Sequence, residues 1–75
     1  MQVTIYITPS CPYCLTAKKY FENKKIPFEE IDISLDKAKA QEMMKFSGQM
    51  GVPVITIDDK IIIGFDQEKI ETLIK

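Results

Sequence analysis

Residues 3–14 read Val3-Thr4-Ile5-Tyr6-Ile7-Thr8-Pro9-Ser10-Cys11-Pro12-Tyr13-Cys14, and this stretch decides the fold. Val3 to Ile7 alternates and is rich in β-branched residues, which suits a pleated strand. Thr8-Pro9-Ser10 breaks it. From Pro12 to about Lys25 the pattern turns helical, with Cys14, Ala17 and Phe21 at i, i+3 and i+7 on one face. Pro12 fits the first helical position, where its missing N–H costs nothing. A strand that passes straight into a helix begins a β-α-β unit, which crosses over right-handed and leaves two parallel strands.

The remaining elements follow without a linker. Pro27 disfavours helical geometry at Ile26, so the first helix ends between Asn23 and Pro27. Phe28 to Ile33 alternates as a second strand. Ser34 or Asp36 can cap a second helix reaching about Ser47, with Ala40, Met43 and Met44 facing inward and Gly48 as its stop. Val52 to Ile57 is a third strand, Asp58-Asp59-Lys60 a tight turn, and Ile61 to Ile63 a fourth strand antiparallel to the third. Gly64 ends it, Asp66 can cap, and a last amphipathic helix carries Ile70, Leu73 and Ile74. The order β-α-β-α-β-β-α predicts an α/β fold. It has a four-stranded mixed sheet flanked by three helices, in a single domain over residues 1–75.

Composition narrows the function. With 75 residues, 45% hydrophobic and 28% charged, the chain has the balance of an ordinary soluble domain with a thin core. Ten basic and eleven acidic residues leave a net charge of −1, which removes the electrostatic case for nucleic acid. Every basic residue is Lys, so bidentate guanidinium recognition is unavailable. No apolar run approaches the ~20 residues that span a bilayer, and the opening residues carry no signal-peptide pattern. The expectation is a cytoplasmic monomer without a membrane partner.

The two cysteines, Cys11 and Cys14, make a poor staple, because closing so short a loop restricts the unfolded chain very little. Their position suits chemistry better. Cys11 falls at or just before the helix N-terminus, facing unsatisfied backbone N–H groups and the positive end of the helix dipole. Both favour a thiolate and raise its reactive fraction at neutral pH. Cys14, one turn on, lies in the apolar stripe and should be more buried and less ionised. Cys11 is then the attacking thiol and Cys14 the one that resolves the mixed disulfide. Pro12 stiffens the turn between them, and Tyr13 shields one side while offering a surface to a partner. The potential should lie in the range of about −180 to −270 mV of comparable dithiol proteins.

Other readings stand beside this one. A closed zinc site needs four ligands, and the chain has two cysteines and no histidine. An iron–sulfur cluster held between two chains with outside thiols is a rival of a different class, and two inert packing cysteines are the ordinary alternative. At Gly51-Val52-Pro53 a proline opens a strand, which suits an edge, or a special turn such as a cis bond between Val52 and Pro53.

Thr8 to Cys14, then Gly51-Val52-Pro53, then Gly64-Phe65-Asp66 after a hairpin, together resemble the glutaredoxin family over essentially the whole chain. The runs Ser47-Gly48-Gln49-Met50-Gly51-Val52-Pro53-Val54 and Ile63-Gly64-Phe65-Asp66 resemble more closely the short bacterial glutaredoxin-like proteins of the YruB type, near relatives of the NrdH-redoxins. The resemblance implies a thioredoxin fold, with Cys11 as nucleophile and Cys14 as resolver. It implies a cis Val52–Pro53 segment whose Val52 backbone pairs with a bound peptide or glutathione. Tyr13 would line the same groove, and Asp66 would meet the glutathione amine.

Two departures weaken the glutathione half of that site. Thr8 stands where glutathione-using members usually carry Lys, and Ile63-Gly64 stands where they carry Gly-Gly, so that Ile63 is expected to crowd the ligand. Lys18 and Lys19 read as solvated faces of the first helix rather than as compensation. No bound cofactor is expected, with glutathione as a co-substrate at most. The implied activity is a dithiol disulfide oxidoreductase acting on protein disulfides, re-reduced by a flavoprotein of the thioredoxin-reductase type. The alternative is a glutathione-dependent glutaredoxin that removes glutathione from protein thiols through Cys11 alone.

Overall fold

The computed structural model describes residues 2–49 and 51–74, and Met50 of the run quoted above lies outside them. The elements are β1 (Val3–Ile7), α1 (Pro12–Asn23), β2 (Glu29–Asp32), α2 (Lys37–Ser47), β3 (Val54–Ile57), β4 (Lys60–Ile63) and α3 (Gln67–Leu73). The four strands form one sheet in the order β2-β1-β3-β4. β1 runs parallel to β2 and antiparallel to β3, and β3 runs antiparallel to β4. This is the four-stranded α/β architecture that the element order predicts, and it is the thioredoxin fold that the resemblance implies.

Alternation along the strands sorts the side chains into two layers. On one face Val3, Ile5 and Ile7 of β1, Ile55 and Ile57 of β3 and Ile62 of β4 meet Cys14, Ala17 and Phe21 of α1 and Ile70 of α3. On the other face Tyr6 and Val54 meet Met43 of α2 and Ile33, with Phe46 edge-on to Tyr6 at 5.3 Å between centroids. The helical stripe of α1 is thus buried as its periodicity requires. Met43 is the buried residue of α2, while Met44 is 43% exposed, contrary to the sequence expectation. One residue on along a helix turns a side chain by about 100°, and Met44 looks out past the edge of the layer.

Helix α1 ends at Asn23, the near limit of the window that Pro27 sets. Lys24 caps it, and Lys25 takes a left-handed φ of 58°. The Lys25 N–H bonds the Glu22 carbonyl at 3.0 Å and the Ile26 N–H bonds the Phe21 carbonyl at 2.9 Å. That is a Schellman ending with Lys where glycine is usual, and Ile26 packs back on the core as the motif's hydrophobic contact.

Of the two candidate caps for α2, Asp36 does the work, its Oδ1 accepting from the Lys39 N–H at 3.1 Å. Ser34 instead donates from its Oγ and its N–H to Asp32. Gly48 ends the helix in the left-handed region, at φ 76°. β2 is shorter than the stretch from Phe28 to Ile33. β3 begins at Val54 rather than Val52, and β4 one residue earlier than expected, at Lys60. Among the described residues no helix is long and apolar enough to cross a membrane.

Candidate active site

The strand register gathers three distant segments at one end of the sheet. Tyr6 lies opposite Val54, and Val54 opposite Ile63, so the end of β1, the start of β3 and the end of β4 sit side by side. The β1–α1 turn with Cys11, the Val52–Pro53 bond and Gly64 therefore share that end. The Val52–Pro53 bond is cis, and Pro53 is buried. Its carbonyl accepts the Gly64 N–H at 2.9 Å, which ties the entry of β3 to the exit of β4. Gly64 holds φ at 78° with open space where a Cβ would point, so its requirement for glycine is conformational rather than steric.

Cys11 is the N-cap of α1, with extended φ and ψ of −96° and 110°, and its Sγ accepts the Cys14 N–H at 3.1 Å. The sulfur thereby takes one of the donors a helix start leaves without a partner, at the positive end of the dipole. Its own N–H bonds the Thr8 carbonyl at 3.3 Å, closing the turn from β1. Cys11 is half-buried, whereas Cys14 is 2% exposed, and both thiols are free. Burial pushes the Cys14 thiol up from 9.0 to about 12, reinforced by a hydrogen bond to Cys11 and by the Cys11 charge. A backbone hydrogen bond at Thr8 and the Lys18 ammonium act the other way. The two sulfurs are therefore chemically unlike: one is reachable and sits on a helix start, the other is enclosed and holds its proton.

The other residues singled out in the sequence divide into two sets. Cys11, Pro12 and Cys14 line a depression of about 400 Å3 together with Thr8, Leu15 and Lys18. Tyr13, Val52, Pro53, Gly64, Phe65 and Asp66 do not line it. Tyr13 is 67% exposed, its ring free of the core. Val52 and Phe65 are half-buried against the same apolar layer as Cys11. Asp66 caps α3, its Oδ1 accepting the Lys69 N–H at 3.2 Å.

Ile63 pairs with Val54, whose side chain belongs to the α2 layer, and is 52% exposed. Its side chain thus stands on the face of the sheet opposite Cys14, which removes the basis for expecting it to crowd a ligand there.

Two further residues matter, one named in the sequence reading and one that escaped it. Lys18 is no plain solvated face: its Nζ lies 2.8 Å from Glu30 Oε2 across on β2, with its side chain 27% exposed. Its spacing of one helical turn from Cys14 was the signal available. Lys19 is exposed, as expected. Tyr20 stacks edge-on against Phe65 at 5.6 Å between centroids and donates to Glu71 Oε2 at 3.3 Å, joining α1 to α3.

A thioredoxin fold with a cysteine pair at the start of its first helix defines a class of redox proteins. Comparison with known proteins gives the family. The glutaredoxin sequence profile matches residues 3–62. A glutaredoxin-like 8.6 kDa protein from the rubredoxin operon of Clostridium pasteurianum is 42% identical over 73 residues, 97% of each chain. Glutaredoxin 3 of Escherichia coli is 44% identical over 64 residues, covering 85% of this chain and 77% of that one. Among solved structures, the glutaredoxin-like NrdH-redoxin of Escherichia coli superposes with a TM-score of 0.83 at 30% identity, over 97% of this chain and 95% of its own. The chain belongs to the glutaredoxin family, whose activity is thiol–disulfide exchange.

Proposed function

We propose that this protein is a dithiol electron carrier that reduces protein disulfides through Cys11 and Cys14. The asymmetry of the pair carries the reading: a reachable sulfur capping α1 at 3.1 Å from the Cys14 N–H, and an enclosed Cys14 beside it. The Cys11 thiolate attacks a partner disulfide, forming a mixed disulfide and releasing one partner thiolate. Cys14 then loses its proton and attacks Cys11 Sγ. The second partner sulfur leaves as a thiolate, and a Cys11–Cys14 disulfide remains. Tyr13, Val52 and Pro53 form the wall against which an extended partner segment lies, Val52 offering backbone groups to it. Gly64, Phe65 and Asp66 complete the far side of that groove.

A flavoprotein of the thioredoxin-reductase type is the electron donor in this reading. Thr8 supplies no cation for a glutathione carboxylate, and the structurally similar NrdH-redoxin is described as having a thioredoxin-like activity profile.

One observation favours the second reading, a glutathione-dependent enzyme that uses Cys11 alone. The Ile63 side chain lies on the face opposite Cys14, so it leaves the approach to Gly64 open.

NADPH oxidation separates the two. Oxidised protein is supplied either with glutathione and its reductase or with bacterial thioredoxin reductase. Turnover with thioredoxin reductase alone supports the carrier, and turnover with glutathione alone replaces it with the second reading.

A further inference from the structure

Closing the mixed disulfide requires Cys14 to give up a proton that its surroundings hold tightly. The core layer to which Cys14 belongs is apolar, with Ile5 and Ile7 of β1, Ile55 of β3, Ile62 of β4 and Ile70 of α3. No base stands among these residues. Apart from the two thiols, the charged or titratable side chain that lines the depression beside Cys14 is Lys18. It follows Cys14 by four residues on α1, a spacing that brings side chains to about 5–6 Å between Cβ atoms. Its ammonium is not free to act at full strength, because Glu30 on β2 holds it at 2.8 Å and Glu22, one turn further along α1, adds negative charge.

We propose that Lys18 is a positioning residue for the closing step, its ammonium stabilising the Cys14 thiolate, and that Glu30 sets how much of that charge Cys14 feels. This rests on the dithiol reading above. In the mixed disulfide Cys11 carries no charge to oppose ionisation of Cys14, and Lys18 is the cation among the described residues lining the depression. The Cys14 proton passes to solvent there, the thiolate attacks Cys11 Sγ, and the bond between Cys11 and the partner sulfur breaks. That sulfur leaves with the electron pair and takes up a proton. The dithiol is oxidised by two electrons, and the partner disulfide is reduced by the same two.

The two members of the ion pair should then act with opposite sign. If the pair merely braces α1 against β2, removing either member has the same effect. Reduced protein is mixed with excess dithiodipyridine, a neutral aromatic disulfide, and release of the pyridinethione is followed by stopped flow. The first phase is attack by Cys11 and scales with reagent. The second is closure by Cys14 and is independent of reagent.

Relative to the first phase at pH 7, Lys18→Gln should slow the second about three- to tenfold, the effect of one screened charge at this range. Lys18→Arg, which keeps the charge, should stay within about twofold of the wild type. Glu30→Gln should speed closure about two- to threefold. The pH at half-maximal closure should rise in Lys18→Gln and fall in Glu30→Gln. Equal second phases in all variants, or shifts of Lys18→Gln and Glu30→Gln in one direction, overturn the inference. Absence of a reagent-independent phase in the wild type overturns the dithiol reading itself.

Discussion

Cys14 ties stability to alkaline pH, and Cys14→Ser isolates the effect. The thiol is 2% exposed and pushed up from 9.0 to about 12 in the folded chain. For an acid whose folded value is raised, the unfolded chain ionises first. Its contribution is therefore fully present below pH 9 and is lost as pH rises towards 12. Within that window the loss is about 1.4 kcal/mol per pH unit for one proton, so near pH 10 Cys14 alone should cost about 1.4 kcal/mol relative to pH 7.

Other groups lean the same way. Tyr6 and Tyr20 are raised by burial, and Lys18 is raised by its bond to Glu30, so its stabilising charge is lost as it deprotonates. The wild-type slope alone is thus ambiguous, and the difference between wild type and Cys14→Ser is the informative quantity. Urea unfolding of both, kept reduced, at pH 7 and pH 10 measures it. The variant should lose about 1.4 kcal/mol less than the wild type between the two conditions. Equal losses would refute the assignment of Cys14 as a buried, protonated thiol.

Three further outcomes are expected. Cys14→Ser should abolish reduction of protein disulfides, while retaining much of any removal of glutathione from protein thiols, as read in parallel NADPH-coupled assays. Phe21→Ala should cost about 3–5 kcal/mol, because the ring is fully buried between α1 and the sheet. In so small a chain that loss should show as a large drop in Tm by circular dichroism. Asp36→Ala should cost about 1 kcal/mol by removing the α2 cap, and Asp36→Asn should recover most of it. Urea midpoints of the pair check this.

The fold was legible where one local signal sufficed. Pro12 after a β-branched run marks the strand–helix junction, and the stripe Cys14, Ala17, Phe21 names the buried face before any partner is known. Gly48 and Asp66 announce their roles by type. The misses have physical causes of two kinds. Lys25 ends α1 in a conformation where glycine is the usual residue, so the sequence carried no sign of the Schellman turn. Met44 depends on how far the α2 layer extends, which is a property of the packed sheet.

At the site, the half-buried and the enclosed cysteine could be told apart from their distance to the helix start. Lys18 could not, because its meaning comes from Glu30 on a neighbouring strand. The side of the sheet on which Ile63 stands likewise follows from its pairing with Val54 and not from its neighbours in sequence.

The cap on α1 is made within four consecutive residues, whereas the wall around it is assembled from segments some forty and fifty residues further along the chain. Reactivity and discrimination therefore have different origins in folding. On the dithiol reading, a chain that has formed β1 and α1 but has not yet docked β3 between β1 and β4 has the capped nucleophile without the surface that chooses its partner. Such a species would exchange indiscriminately with any disulfide it met. On the dithiol reading, docking of the β3–β4 hairpin and α3 thus limits which disulfides Cys11 meets as well as stabilising this domain.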